Sequence, residues 1–277
     1  YNRVNKSLFR DVCRIKFTGN NHEYHEIKMN HYAQGGYLNV MADQDSAVGF
    51  LNFSGNLSPG QHELSAYLSG VENAKINGNS FVTGGFTIIN SNTGNTEIRN
   101  NFIQHCYTGG FNISGKGIRV FSGNWIASVS GGIGLNALNL SNASFYNNFI
   151  NVTGTNDEPA VSLTNVNNCE FFFNTLSNYS QHSGSRALYL EQSQDNNMIN
   201  NILSNNGTGL CIETLVAPSA NTWDYNNYYS QQNDLAIYQS APIPDFDDWK
   251  DISEGDEHSV NYNPLFVAPT SVKFSNV

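Results

Sequence analysis

The chain has 277 residues, of which 13% are charged and 12% aromatic, while asparagine occurs 43 times and glycine 24 times. Its formal net charge of -10 disfavours nucleic acid as a partner, because phosphate binding needs clustered Lys and Arg. The sequence contains no apolar run of about 18 residues, so it predicts no transmembrane segment. An excess of one polar residue type this large requires a structural cause.

One asparagine recurs every 22 to 27 residues, inside short segments such as IRNNFI and FYNNFI. A period in this range is typical of solenoids and predicts a right-handed parallel β-helix of about ten coils. Stacked coils lie ~4.8 Å apart, so identical buried amides can hydrogen-bond along the axis and form a ladder. The predicted ladder residues are Asn30, Asn56, Asn79, Asn101, Asn124, Asn148, Asn174, Asn201 and Asn227, with Asn5 as a tenth.

Apolar residues stand three positions before and two positions after these asparagines, as Ile98 and Ile103 do around Asn101. Both columns are predicted to face the core. An antiparallel sandwich of short strands is the alternative fold, but sandwiches do not place one polar residue type at a fixed period over nine repeats.

A second strand in each coil alternates apolar and polar residues, with Phe111 and Ile113 as one apolar pair. In two other coils we assign Ile133 with Leu135, and Leu210 with Ile212, to the same inward positions. This register places an outward column at Ile89, Ser114, Asn136, Thr164, Glu191 and Glu213.

The coils are predicted to fill residues 1–230, and residues 231–277 are predicted to form a C-terminal capping segment. Seven acidic residues lie between Asp245 and Glu257, and the stretch from Ile243 to Ile252 is predicted to form a short helix. A cap of this kind would cover the unpaired strand edges at the end of a solenoid. The four cysteines lack metal-binding spacing, which favours buried free thiols over disulfides.

The ladder and coil length over about residues 5 to 230 resemble the pectate-lyase-like superfamily of right-handed β-helices. The tail, with Trp249 and the segment Asn263-Pro264-Leu265-Phe266, is similar to the closing segment of secreted bacterial β-helix repeat proteins. The resemblance implies polysaccharide lyases, glycoside hydrolases, epimerases or surface proteins as relatives. The chain departs from the polygalacturonase type, whose ordered active-site motifs it lacks.

Candidate catalytic residues lie beside the two longest loops, Gly154 to Pro159 and Asn178 to Arg186. We predict Glu191 and Glu213 to be neighbours one coil apart, where two carboxylates cannot both ionise freely unless a cation lies between them. Such a pair suits a general acid with its partner, or a calcium ion that grips a uronic acid. The alternative is a solvated polar face with no ligand.

If this region is the active site of a lyase, it requires a base and a group that neutralises the charge of the substrate. Tyr189 or His182 would be the base, and Arg186 or bound calcium would neutralise the charge. Asp157 and Glu158, on the loop one coil before, are predicted to bind substrate.

Phe102, Trp125 and Phe149 directly follow the ladder asparagine in three consecutive coils. If this position faces outward, the rings form a strip for stacking on sugar faces. If it faces inward, the rings belong to the core.

The sequence therefore predicts two alternative functions. The first is an extracellular protein, secreted or at a bacterial cell surface, that binds or cleaves a polysaccharide. The second is a structural or adhesive β-helix segment without catalysis. Tyr1 and Val277 both look like internal cut points, which predicts flanking domains in a longer chain.

Overall fold

The computed structural model describes residues 2–9, 24–32, 36–41, 48–59, 64–107, 109–231 and 234–266. These residues form a right-handed parallel β-solenoid of about eight turns, with almost no helix. The predicted fold class is therefore confirmed, although the sequence suggests about ten coils. Parts of the first coils, and Cys13, lie outside the described residues.

Most strands have two to nine residues because each coil turns several times, whereas β8 (Leu64–Asn77) and β9 (Ser80–Arg99) continue through the turns and have 14 and 20 residues. In the first half they are β1 Asn2–Asn5, β2 Leu8–Phe9, β3 Tyr24–Lys28, β4 His31–Tyr32, β5 Gly36–Met41, β6 Val48–Ser54, β7 Leu57–Ser58, β8 Leu64–Asn77, β9 Ser80–Arg99, β10 Phe102–His105, β11 Phe111–Ser114, β12 Ile118–Ser122 and β13 Trp125–Val129. In the second half they are β14 Leu135–Ser141, β15 Ser144–Tyr146, β16 Phe149–Val152, β17 Pro159–Asn167, β18 Glu170–Phe172, β19 Thr175–Asn178, β20 Arg186–Glu191, β21 Asn197–Ile199, β22 Ile202–Asn205, β23 Leu210–Thr214, β24 Thr222–Asp224, β25 Asn227–Ser230, β26 Ala236–Tyr238 and β27 Ala241–Ile243.

Equivalent strands of successive coils pair in parallel and form three stacks. The first stack contains β1, β3, β6, β8, β9, β12, β15, β18, β21 and β24. The second contains β2, β4, β7, β9, β10, β13, β16, β19, β22 and β25. The third contains β5, β8, β9, β11, β14, β17, β20, β23 and β26. The long strand β9 contributes to all three stacks, since its two ends pair with β10 and β12 and its middle pairs with β11.

Among the described residues, a left-handed corner separates the first stack from the second before each ladder position. The residue before each ladder position has φ between 51° and 63°, a region that favours glycine and asparagine. The corner residues are Lys6, Met29, Gly55, Gly78, Asn100, Gly123, Asn147, Phe173, Asn200 and Tyr225.

Each ladder amide is hydrogen-bonded to the coils on both sides. Asn101 Nδ2 donates to Asn124 Oδ1 at 2.9 Å and to the Ile76 carbonyl at 3.1 Å, and the Asn101 backbone N–H also donates to Asn124 Oδ1. The same pattern runs from Asn30 to Asn201, and the ladder side chains are at most 3% exposed. This explains how one buried polar column is tolerated.

Both ends of the predicted ladder need correction. Asn201 pairs with Asn226, not Asn227, since Asn226 Oδ1 accepts from the Asn201 backbone N–H at 2.9 Å. At the other end Asn30 Oδ1 accepts from the backbone N–H of Ser7, so Ser7 and not Asn5 occupies the tenth position. The inward columns fix this register, because Trp223 and Tyr228 are the buried residues that flank Asn226.

The C-terminal end of the ladder meets a buried carboxylate. Asp256 accepts hydrogen bonds from Tyr228 at 2.9 Å, from Trp249 Nε1 at 2.7 Å and from Ser259 Oγ at 2.5 Å. Asn226 Nδ2 also approaches Asp256 Oδ1, at 3.4 Å. Burial raises the pKa of Asp256 even though these donors act in the opposite direction.

The predicted short helix is α1, Phe246–Ser253, whose N-cap Asp245 accepts from two backbone N–H groups. The segment just before it continues the solenoid, since β26 pairs in parallel with β23 and β27 then turns back antiparallel. The boundary at residue 230 stays a prediction. No helix in the described part of the chain has the length and apolar character of a membrane span.

Cys106, Cys169 and Cys211 are buried free thiols, as predicted. Burial raises the pKa of Cys169 to about 11 and that of Cys211 to about 12, so both remain protonated and inert near neutral pH.

Candidate functional site

The structure overturns the predicted pairing of Glu191 with Glu213. In the third stack Glu213 lies beside Tyr189, and Glu191 lies beside Thr164. The predicted register is wrong by two residues in two coils, because Leu135 and Ile212 occupy the inward positions that were assigned to Ile133 and Leu210. A slip of two keeps the apolar alternation, so the pattern alone cannot detect it.

The corrected register defines a polar column on the outer side of the third stack. Its members, in coil order, are Thr87, Asn112, Asn136, Ser162, Tyr189 and Glu213. Five steps of ~4.8 Å give this column a length of about 24 Å. We call the surface above it the groove.

Two adjoining depressions of about 300 Å³ and about 280 Å³ form the groove, and they share Ile133 and Glu158. The first depression has a floor of glycine backbone, because the coils approach closely there. A Cβ on Gly85 would lie 2.5 Å from the Gly109 carbonyl oxygen, and one on Gly110 would lie 2.4 Å from that of Gly134. Side chains are therefore excluded from the floor and a ligand can reach the backbone.

The second depression is lined by five of the predicted site residues: Asp157, Glu158, Arg186, Tyr189 and Glu213. The loops Gly154 to Pro159 and Asn178 to Arg186 bring them together, and these loops are in contact, since the Gln181 backbone N–H donates to the Gly154 carbonyl at 3.0 Å.

Arg186 is held tightly at the edge of the groove. Its Nη2 lies 2.5 Å from Glu213 Oε2, and its Nη1 donates to the carbonyls of Asp157 and Gly184. The guanidinium carbon lies 5.6 Å from the centre of the Tyr189 ring. Nε of Arg186 is buried and has no hydrogen-bond partner among the described residues. The guanidinium charge is thus largely neutralised within the protein.

The pKa of Tyr189 responds to the charged side chains around it. Burial raises its pKa, and the carboxylates of Glu191 and Glu213 add to this effect while Arg186 opposes it. Its hydroxyl lies 3.5 Å from Glu191 Oε2. Glu191 therefore lies next to the groove, although it does not line either depression. A phenol with a raised pKa stays protonated near pH 7 and can both donate and accept hydrogen bonds.

His182 does not join this group. Its side chain is exposed on the loop between β19 and β20, outside both depressions, and its Nδ1 accepts from the Gly184 backbone N–H at 3.1 Å. The lone pair of Nδ1 is thus engaged by the backbone of the same loop, outside the groove.

The loops depend on two buried asparagines that are not among the predicted site residues. Asn178 Nδ2 donates to the carbonyls of Glu158 and Arg186, at 3.0 and 2.8 Å. One coil on, Asn205 Nδ2 donates to the Ser185 and Leu210 carbonyls. Their spacing of 27 residues matches the ladder period, which is the signal that could have identified them.

The three aromatic residues after the ladder lie on the second stack, on a different surface from the groove. Phe102 and Trp125 stand beside the fully buried Ile103 and Ile126, so they project away from the core. Phe102 is 37% exposed, whereas Phe149 is only 4% exposed and packs on Trp125 with ring centres 4.7 Å apart. The outward alternative therefore describes Phe102 and part of Trp125, whereas Phe149 is buried, so the three rings do not form one exposed strip.

No group of three or more His, Cys, Asp or Glu residues in the described ranges is arranged to hold a metal ion. The carboxylates of the groove are spread over separate strands and loops, and the nearest cation to Glu213 is Arg186. Among the described residues, the calcium ion suggested by the sequence therefore has no cluster of three carboxylates to hold it.

The fold and this groove define the molecule as a parallel β-helix with a polar surface channel. No protein-family model matches the chain, and no curated protein and no solved structure matches it significantly.

Proposed function

We propose that this protein is a polysaccharide-binding β-helix of the pectate-lyase-like type, secreted or displayed on a bacterial surface, which holds a glycan along the groove. The observation that carries the proposal is the continuity of the two depressions through Ile133 and Glu158. Their lining supplies hydroxyl, amide, carboxylate and guanidinium groups, which are the partners that sugar hydroxyls need. A channel about 24 Å long fits a chain ligand better than a small molecule.

The charge of the groove favours a neutral glycan over a polyuronate. Asp157, Glu158 and Glu213 contribute carboxylates to its lining, and Arg186 is the one cationic side chain there. Since Arg186 is already paired with Glu213, the remaining charge repels an acidic chain.

The contacts favour binding over cleavage. A lyase needs a base and a free cationic group, but Tyr189 has a raised pKa and the guanidinium of Arg186 is engaged by Glu213 and two carbonyls. The adhesive role predicted as the alternative uses the same binding without turnover, so analysis of products separates the two.

The test is calorimetric titration with hexasaccharides: xylohexaose, cellohexaose, N-acetylchitohexaose and a galacturonate hexamer. We expect a neutral hexasaccharide to bind and Tyr189→Ala, or Asn112→Ala with Asn136→Ala, to weaken it about tenfold or more. Asn95→Ala is the matched control, because Asn95 is exposed on β9 outside both depressions.

Chromatography of the same mixtures, with and without calcium, reports cleavage. The proposal is wrong if no hexasaccharide binds, or if the groove variants and the Asn95 control bind equally well. Products that disappear in Glu213→Gln would show an enzyme instead of a binding protein.

A further inference from the structure

A second surface combines aromatic and polar side chains, on the outer side of the first stack. It contains a depression of about 290 Å³ whose lining includes Glu170, Phe172, Phe173, Asn197, Ile199 and Asn200. These residues come from β18 and β21 and from the corners that follow them. We call them the β18 face; none of them lines the groove.

Phe173 is strained and exposed at the same time. It occupies the left-handed corner with φ 57°, while the equivalent positions on the neighbouring coils carry Asn147 and Asn200, which tolerate this conformation. Its side chain is 58% exposed, so burial does not offset the strain, and its ring touches the edge of Phe172 at 5.9 Å between centres. An exposed, strained aromatic residue indicates a function outside the fold itself.

Tyr225 is another bulky residue in a left-handed corner, and contacts within the protein account for it. Tyr225, with φ 56°, stacks on the His258 ring at 4.7 Å, and His258 in turn pairs with Asp224 at 2.9 Å. Phe173 has no such stacking partner among the described residues: the ring of Phe172 is itself stacked on Tyr146 at 5.0 Å.

The polar groups beside Phe173 are available to a ligand. The side-chain amides of Asn197 and Asn200 are exposed and make no hydrogen bond to another described residue. Glu170 lies between them and β15, where Ser144 Oγ donates to its Oε2 at 3.1 Å, which leaves Oε1 open. A ring face, two amides and a carboxylate therefore meet at one depression.

We propose that the β18 face is a second glycan site, separate from the groove, in which a neutral pyranose stacks on Phe173. The amides of Asn197 and Asn200 and the carboxylate of Glu170 hydrogen-bond its hydroxyls. Axial C–H groups give a pyranose an apolar face that suits an aromatic ring, and its hydroxyls suit amides and a carboxylate. Glu170 is the one charged residue in the lining, so an acidic sugar is disfavoured.

The test uses Phe173→Gly in the full chain, titrated with xylohexaose, cellohexaose and N-acetylchitohexaose. Glycine suits the left-handed corner, so this variant folds at least as well as the wild type. Tyr189→Ala disables the groove, and any binding that remains then reports the β18 face. We expect Phe173→Gly to remove one binding event from the wild type and to abolish the remaining binding in the Tyr189→Ala background.

Met29→Gly is the matched control, because Met29 is a bulky corner residue with φ 52° and 62% exposure on a distant coil. It should reproduce the change in stability without a change in binding. The inference is overturned if Phe173→Gly leaves both the number and the affinity of binding events unchanged for all three sugars. If Tyr189→Ala has no effect while Phe173→Gly removes all binding, the groove proposal fails and the β18 face stands.

Discussion

The buried ladder and the groove column are both polar stacks at the same ~4.8 Å spacing, yet they differ in every other respect. Inside, one residue type repeats, and each amide bonds to the coils before and after it. Outside, the residue changes at almost every step, and one side-chain amide contact, from Asn136 to Asn112 at 3.3 Å, joins two members. Water satisfies exposed polar groups, so only the interior needs a repeated residue, and the outer column is free to form a site.

Removing one ladder amide should have the largest effect. Asn124→Ala leaves the Asn101 side-chain and backbone donors and the Ile98 carbonyl without their partner. We expect the free energy of unfolding to fall by about 3 to 5 kcal/mol, because buried unsatisfied groups cost roughly 1 to 3 kcal/mol each. Urea unfolding followed by circular dichroism measures this. A loss below about 1 kcal/mol would contradict the idea that the ladder must be complete.

Asp256→Asn tests the end of the ladder. Several donors converge on this carboxylate, and an amide would present a donor to one of them, so we expect a loss of about 2 kcal/mol at pH 7. Asp256→Ser also removes the charge, and it serves as a second variant in the same unfolding measurement.

The pH dependence of that loss follows from the raised pKa of Asp256. Protonation is favoured more in the folded than in the unfolded chain, so the stabilisation by this group is complete below its usual pKa of 3.8 and decreases as the pH rises through the raised value. The difference between wild type and Asp256→Asn should therefore grow as the pH is lowered from 7 to 4. Urea midpoints at several pH values report this, and a difference that shrinks on acidification would refute it.

A substitution in the corner between the first and second stacks measures how much the left-handed backbone conformation costs in stability. Gly78 has φ 63°, and a Cβ there would meet no atom within 4 Å. Gly78→Ala should cost about 1 kcal/mol from the left-handed conformation alone. Thermal unfolding provides the measurement, and Ala at the exposed Asn95 serves as the reference; an equal midpoint for both variants would exclude a backbone cost.

The smallest change in stability is expected in the groove. Asn136→Ala should alter the free energy of unfolding by less than about 0.5 kcal/mol, because its amide is partly exposed and water replaces the contact with Asn112. The same variant should weaken binding of a neutral hexasaccharide. A stability loss comparable to that of Asn124→Ala would erase the distinction between the two columns.

The period of the asparagines was enough to predict the solenoid and its ladder. A buried amide is tolerated only when the next coil supplies its partner, so the residue must recur once per coil and leaves a trace in the sequence. The same reasoning failed at Asn226, where two adjacent asparagines fit the period and only the inward packing of Trp223 and Tyr228 selects the first.

The site was decided by the tertiary structure. Apolar alternation has a period of two, and the loops before the third stack vary in length, so the sequence could not exclude a two-residue slip that places Glu213 beside Tyr189 instead of Glu191. Outward side chains carry no packing requirement that would fix their register. The neighbours of Arg186 and the exposure of Phe173 depend on how the coils and corners stack, which local residue patterns do not encode.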